Sequence, residues 1–595
     1  MSEDNKTRLK CSLAMDEMAI RKEIIFQGGT QTGFVDYGTG FSVELEAPAT
    51  EALVFMLVSI DSAWKIPVAY FFTNGLSSQQ KAAFVDVALA KLDNVGVDVI
   101  AIVCDGLRSN LAMFEILGSK CDENGILKPF PHVIQGSDVF PVLDACHMLK
   151  LLRNLLAEKK VFLAEGRLIE WRYIELLQKV QDENLLKLAT SINQDHIAWY
   201  KQKMKVKLAA QVFSLSVSKA LVFLKEIMPE FKDVDATVDF IETINALFDC
   251  LNSRNPCGRF LKSPVRPANL HTWINRLCIA RDLLLNLEYE DGKRVIKSSR
   301  KTVIVGFCTT IDSVMQLVSD LLTSNALKYV LTFKFSQDHI EVFFAGIRSK
   351  GGCNNNPSTQ TFKAAYKQLI ISRLQKVPAG NVSIEMGIEF LVMQLNKKNQ
   401  TPVVEDSDDT IEEFSINGGH IINSTYVENS VMYIAGFVSK KISAAIKCEK
   451  CKVALFDTQL ELANSKNMLF FNIKDNGGLS RPSKSVFLVC LATERAIRSD
   501  YFGCGFKKIK NSILKLQLYV LQGLIEKNIF EDLTDHILSL EMNLRMDDHI
   551  NTLKKLIIEK YASVRFHHAA KVHTQKLRGL NVRHNLTKLI LFKNQ

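Results

Sequence analysis

Two acidic residues are the first with types and spacing suited to chemistry. Asp16 in LAMDEM and Asp105 in IVCDG each close an apolar run that reads as a core strand. An ordinary turn also favours Asp at a strand end, so neither residue says much alone. As a pair they say more, because carboxylates at neighbouring strand ends can share divalent metals. Mg²⁺ is a hard ion that takes carboxylate oxygens together with substrate phosphates. Two such ions about 4 Å apart can activate an attacking oxygen and stabilise a leaving one in phosphodiester chemistry. A third acid has to come from elsewhere, usually a helix crossing the strand ends, and Glu341 in FSQDHIEVFF is the candidate. A different metal chemistry is suggested by Cys448-Glu449-Lys450-Cys451. A structural zinc site wants four ligands; no second pair lies at finger spacing, and His567, His568 and His573 stand far along the chain.

The elements that must position these residues read as strands followed by helices. Cys11–Met15, Gly33–Gly38, Ala52–Ser59 and Ile66–Phe72 suggest an antiparallel meander, and Lys81–Leu92 has helical spacing. Val97–Cys104 (VDVIAIVC) is the continuous β-branched run of a strand buried on both faces. His132–Ile134 and Pro141–Val142 suggest one more strand before a helix over Cys146–Ala157. From about 158 to 335 strand-like runs give way to helical periodicity, as in Val238–Leu251 and Thr309–Leu322. That stretch has the size of a separate helical domain inserted into the first.

Composition bounds the rest. A chain of 595 residues implies several folding units. With 47% hydrophobic and 23% charged residues it is a globular protein and not a wholly disordered one. Its longest apolar stretches, such as Ala52–Ile60, fall well short of the roughly 20 residues that cross a bilayer, so no membrane partner is expected. Thirteen scattered cysteines suggest reduced thiols. The 74 Lys+Arg against 64 Asp+Glu leave a net +10, a mild bias unevenly spread. Residues 561–595 hold seven Lys/Arg, four His and no acid, and read as a phosphate-neutralising or solvated segment. Glu405–Glu413 (EDSDDTIEE) is an acidic run within a polar stretch that reads as a linker.

LAMDEM, IVCDGLRSNLAMF, DACHMLKLLRN, FSQDHIEVFFAGIRSKGGCNNNP, YIAGFVSKKI and the closing RHNLTKLILFKNQ occur in that order. In this combination the chain resembles the P-element (THAP-type) family of DNA transposases from about residue 11 onward. The resemblance implies an α/β fold: a ribonuclease-H-like core interrupted by a large all-helical insertion domain, plus a mostly helical C-terminal region. The expected division is 1–160 and 333–396 for the two parts of the core, 161–332 for the insertion, 397–430 for the acidic linker, and 431–595 for the C-terminal domain with its basic tail. It also implies Asp16, Asp105 and Glu341 as catalytic residues and ligands of two Mg²⁺ ions. The implied reaction is hydrolysis of DNA and transfer of the freed 3′ hydroxyl to target DNA, in the nucleus. Within that frame Lys150 and Arg153 in DACHMLKLLRN form a basic helix face toward DNA, and His147 is either a buried structural residue or a metal ligand. Arg348 and the GGCNNNP turn are either DNA contacts or an ordinary loop.

The family resemblance further implies GTP as a cofactor, bound without a P-loop, since GxxxxGK[ST] does not occur in the chain. The positions that look equivalent are Lys205 and Val206 in QKMKVKLAAQ, Asn245, Phe248 and Asp249 in INALFD, and Asp338 in QDHIE. A carboxylate can accept from guanine N1 and N2, an aromatic can stack on the base, and Lys can meet phosphate. Without the resemblance INALFD is an amphipathic helix with a polar edge. Members of the family usually begin with a zinc-bound THAP module and a coiled coil; here the sequence opens a few residues before the first catalytic strand. Two readings follow: a transposase core working on transposon ends and target, for which a homo-oligomer is compatible, or a domesticated nucleic-acid- or nucleotide-binding protein without cleavage.

Overall fold

The computed structural model describes residues 8–374 and 424–580, apart from 28, 39–46 and 351–355 in the first span and 459, 461, 463–464, 504–508, 510–511, 526 and 534–548 in the second. The acidic run, most of the GGCNNNP turn and the chain after 580 lie outside the described residues.

The centre is a six-stranded mixed sheet. Its first strand, β1 (Leu9–Ala19), is followed by the small hairpin β2 (Ile25–Gln27) and β3 (Thr30–Thr32), then by β4 (Glu51–Ser59) and β5 (Lys65–Thr73). Helix α1 (Ser78–Asn94) leads to β6 (Val97–Cys104), and α2 (Arg108–Ile116) to β7 (Phe130–Pro131) and β8 (Asp138–Leu143). The spatial order is β5-β4-β1-β6-β8-β7. β4 and β5 run antiparallel beside β1, while β6 and β8 lie parallel to it on the other side. The apolar run of β6 is buried nearly end to end, as its composition requires.

Three details differ from the sequence reading. Asp16 lies within β1 rather than at its end, because β4 keeps pairing with β1 as far as Ala19 opposite Glu51. His132–Ile134 is a turn: the imidazole Nδ1 of His132 accepts the backbone N–H groups of Ile134 and Gln135, and the strand starts at Asp138. Gly33–Gly38 contributes only isolated bridges, Phe34 to Pro48 and Asp36 to Phe72.

The inserted segment follows α3 (Ala145–Lys159). It opens with a hairpin, β9 (Val161–Ala164) and β10 (Arg167–Glu170), where helix was expected. The turn is made by Glu165 and Gly166, both at positive φ. Then come α4 (Arg172–Asn184), α5 (Gln194–Ile197), α6 (Val206–Val212), α7 (Leu215–Ile227), α8 (Asp235–Leu251), α9 (Leu270–Leu285) and α10 (Thr302–Thr323).

Helix α10 belongs to the sheet as much as to the insertion. Residues 140–143 of β8 have β6 on one side and no strand on the other. The Thr310 hydroxyl fills that edge, donating to Leu143 O (2.7 Å) and accepting from Leu143 N (2.9 Å), and Ser313 Oγ donates to Pro141 O (2.7 Å). Thr309 Oγ1 accepts Leu127 N at 3.2 Å. Contrary to the sequence expectation, 206–227 and Thr302–Thr323 are long and apolar enough, by length and composition, to cross a bilayer. In α10 those apolar residues are buried against the sheet and its neighbours instead. Close approach is secured by glycine: a Cβ on Gly306 would sit 2.2 Å from Met148 Sδ of α3, and one on Gly106 2.7 Å from Met148 Cε.

The chain returns to the sheet through Lys334. Its ammonium is buried and donates to Ser59 O, Ile60 O and Ser62 O at 2.9, 2.9 and 2.6 Å. Burial pulls its pKa down to about 8, against the opposing charge of Asp61. Helices α11 (Asp338–Lys350) and α12 (Thr359–Leu374) then cover one face of the sheet, where Phe343, Phe344, Phe362 and Tyr366 pack on Val54, Met56 and Phe72.

The C-terminal region comprises α13 (Thr425–Ser443), α14 (Glu449–Ala454), α15 (Leu469–Lys474), α16 (Lys484–Arg498), α17 (Ser512–Gln522) and α18 (His549–Leu580). Helix α13 starts inside the stretch read as linker, and its N-cap Ser424 accepts Val427 N. Tyr426 OH donates to Leu186 O and Lys474 Nζ to Leu188 O, so this region docks on the insertion.

Candidate active site

The register of the central strands brings the first two acids together. β1 and β6 pair in parallel as far as Ala14 opposite Val103. Two residues beyond that last pair lie Asp16, still within β1, and Asp105, just past the end of β6. Glu341 stands in the first turn of α11. The segment entering that helix is nailed to the same strand ends. Gln337 Nε2 donates to Met15 O at 2.7 Å, beside Asp16, and Gln337 N donates to Asp144 Oδ1 at 3.1 Å, just past β8. Ser12 Oγ adds a bond to Lys334 O at 2.8 Å.

Electrostatics register the convergence. The Asp16 carboxyl is pushed up to about 7, mainly by burial, with the negative charges of Asp105, Glu341 and Glu17 adding to it against one hydrogen bond from Glu17 N. Burial also raises Glu341; Asp338 raises it further, while Lys150 and Arg348 act to lower it. Asp144, the N-cap of α3, is pushed up to about 6 by burial and by Asp338 and Glu341, while accepting His147 N at 2.8 Å. Asp105 is held in orientation: Leu107 N and Asn110 Nδ2 both donate to its Oδ1, at 3.0 and 2.7 Å. Asn110 Oδ1 in turn accepts from the buried Lys81 ammonium (3.0 Å), which also pairs with Glu17 at 2.9 Å. This chain from Glu17 through Lys81 and Asn110 to Asp105 left no signal in the sequence, since Lys81 looks like any helical lysine.

Asp105 and Glu341 both oppose charge on Asp16, and three acids are the donor type a hard divalent cation takes; among the described residues they do not gather into a ready-made metal-ligand cluster. His147 lies where Asp105 and Lys150 both act on it; burial lowers its pKa and Lys150 lowers it further. The expected basic face toward DNA is not formed by Arg153. Its side chain is fully buried and donates through Nη2 to Gln202 O (3.0 Å), because the 202–203 loop needs a donor there.

That loop leads to Lys205, the N-cap of α6, and Val206, its first residue. Asn245, Phe248 and Asp249 share one side of α8, where Asn245 Nδ2 donates to Asp249 Oδ2 at 3.2 Å and Lys262 Nζ lies 3.5 Å from Asp249 Oδ1. Burial raises the Asp249 carboxyl against the charge of Lys262. Among the described residues no hydrogen bond or ion pair joins Lys205 to the α8 trio. Asp338, at the start of α11, is ion-paired with Arg254 from the loop after α8.

Comparison with known proteins covers most of these parts. Residues 1–118 match the family model of the TNP-like RNase H N-terminal domain, 146–264 the TNP-like GTP-binding insertion domain, 333–367 the TNP-like RNase H C-terminal domain, and 422–571 the C-terminal domain of DNA transposase THAP9. The chain is similar to DNA transposase THAP9 of Homo sapiens, 27% identical over 576 residues, covering 92% of this chain and 63% of the relative. It is 23% identical over 485 residues to the Transposable element P transposase of Drosophila melanogaster, covering 80% and 59%. It therefore spans about three-fifths of the length of these curated relatives. Among solved structures it is similar in fold to the Drosophila P element transposase strand transfer complex, with a TM-score of 0.53 and 23% identity over 63% of this chain and 80% of that one.

Proposed function

The chain belongs to the P-element-type (THAP-type) family of DNA transposases, and from that premise we propose that it is a transposase core that hydrolyses DNA phosphodiesters and joins the freed 3′ hydroxyl to target DNA. The observation that supports this reading is that Asp105 and Glu341, the latter in the first turn of α11, both bear on the buried Asp16 carboxyl. In it these three carboxylates would hold two Mg²⁺ ions. Bound there, the ions supply activation of the attacking oxygen and neutralisation of the leaving one. The chain's own residues do the positioning. Asn110 and the Leu107 amide fix the Asp105 carboxylate, Gln337 ties α11 to β1, and Lys150 and Arg348 offer positive charge to phosphate beside Glu341. No nucleophilic side chain is needed, because the reacting oxygens belong to water and DNA.

In the same reading GTP organises the protein–DNA complex without being hydrolysed. Asp249 would accept from the guanine, Phe248 would stack on it and Lys205 would meet phosphate, with Val206, Asn245 and Asp338 as the other positions. The match of 146–264 to a GTP-binding insertion model supports a nucleotide in this domain, which contains all of these positions but Asp338. Asp249 and Asp338 are paired here with Lys262 and Arg254, and would have to part from them to meet the nucleotide.

The test is Mg²⁺- or Mn²⁺-dependent cleavage and strand transfer on labelled DNA at low salt, with and without GTP, the native chain beside Asp105→Ala. Metal-dependent products that vanish in the variant, with its circular dichroism unchanged, support the proposal. A folded, DNA-binding native chain that yields no products, or a variant that cuts undiminished, would overturn it in favour of a domesticated binder.

A further inference from the structure

The Cys448-x-x-Cys451 pair acquires a third partner that the sequence did not offer. His549, the first residue of α18, brings its Nδ1 to 3.1 Å from Cys451 Sγ across a separation of 98 residues. Cys448 Sγ joins them, so that the three ligand atoms all lie within 4.8 Å of one another. Cys448 is the N-cap of α14 and Cys451 its third residue, which turns both sulfurs toward one point, and neither is in a disulfide. Cys451 is 4% exposed while Cys448 and His549 are half-buried, a pocket closed to the bulk but reachable.

We propose that Cys448, Cys451 and His549 form a zinc site. Cys448 hydrogen-bonds Cys451, and Cys451 meets His549, so all three ligands already form one cluster, and a tetrahedral ion with bonds of about 2.3 Å to sulfur and about 2.0 Å to nitrogen fits such a set. Two thiolates and an imidazole are a borderline-soft set that selects zinc over magnesium. The fourth position is filled by none of the described residues. The site staples α14 to the start of α18, the helix whose Tyr561 and Arg565 reach the buried Glu494. It is separate from Asp16, Asp105 and Glu341, whose donors are all oxygen.

The test uses the full chain purified without chelator. Elemental analysis is expected to find about one zinc per chain, falling at least fivefold in Cys451→Ser and in His549→Ala but unchanged in the control Cys121→Ser. Cobalt exchanged into the native chain should give a thiolate-to-cobalt charge-transfer band with the visible bands of a tetrahedral site. Independently of any variant, alkylation of Cys448 in the folded native chain, read by mass spectrometry, should accelerate at least tenfold when a strong chelator is added. A native chain with neither zinc nor the cobalt band, or alkylation rates indifferent to chelator, would overturn the assignment.

Discussion

At the scale of single residues, Asp16 carries the sharpest prediction. Its folded-state pKa, about 7, lies above the ordinary 3.8, because burial and then the neighbouring carboxylates oppose its charge. The unfolded chain therefore releases this proton first as pH rises, and stability drains away between about pH 4 and pH 7. Asp16→Asn removes the drain. Its cation-free melting temperature should exceed the native one at pH 8, by the equivalent of roughly 1–3 kcal/mol, and match it at pH 4. Scanning calorimetry at both values checks this; a variant less stable at pH 8 would show that the three acids do not repel. Residue types and local context were enough to single out Asp16, Asp105 and Glu341, since acids beside apolar runs are visible in a chain. Their supports were not. Lys81, Asn110 and Gln337 act through contacts formed only when distant segments meet, and His549 joins Cys451 from 98 residues away.

At the scale of elements, the instructive case is α10. Its periodicity was legible, but Thr309, Thr310 and Ser313 read as polar interruptions in an apolar helix. Their role is to bond the flank of β8 and the nearby Leu127 amide, something local pattern cannot express. Thr310→Val keeps shape and burial while leaving Leu143 N and O short of a partner, so it should cost about 1–3 kcal/mol and lower the melting temperature. An unchanged temperature would mean that packing alone holds the helix. The strands of the sheet were largely readable because β4 and β6 are buried on both faces and carry little else than apolar residues. The hairpin β9–β10 escaped because four-residue strands carry too few residues for a period to emerge.

At the scale of the whole molecule, Glu494 ties the C-terminal helices to the insertion. Burial alone would raise its carboxyl, but Arg565 and Arg498 outweigh that and hold it below its usual range. Arg565 binds both oxygens, at 2.7 and 2.9 Å, and Tyr561 OH donates at 2.9 Å. The two arginines reach on to Leu185 O and Asn184 O at the end of α4. The basic segment beginning at 561 thus includes a structural arginine, only 3% exposed, that is not free for phosphate. Glu494→Gln strands the buried Arg565 beside the half-buried Arg498 and should cost about 3–5 kcal/mol, read as faster hydrogen exchange in α16 and α18; exchange at the native rate would refute the hub. Because its carboxyl is held low, this contribution is present above the ordinary Glu pKa and is lost as pH falls through the lower folded value. The clips from α10 to β8 have a last consequence, for inheritance. A deletion excising the insertion, however neatly it rejoined the flanking segments, would uncover bare peptide groups along β8, ready to recruit a strand from another molecule. Such a shortened gene would encode a self-associating product, so the insertion is a component that the lineage cannot shed without rebuilding the sheet's border.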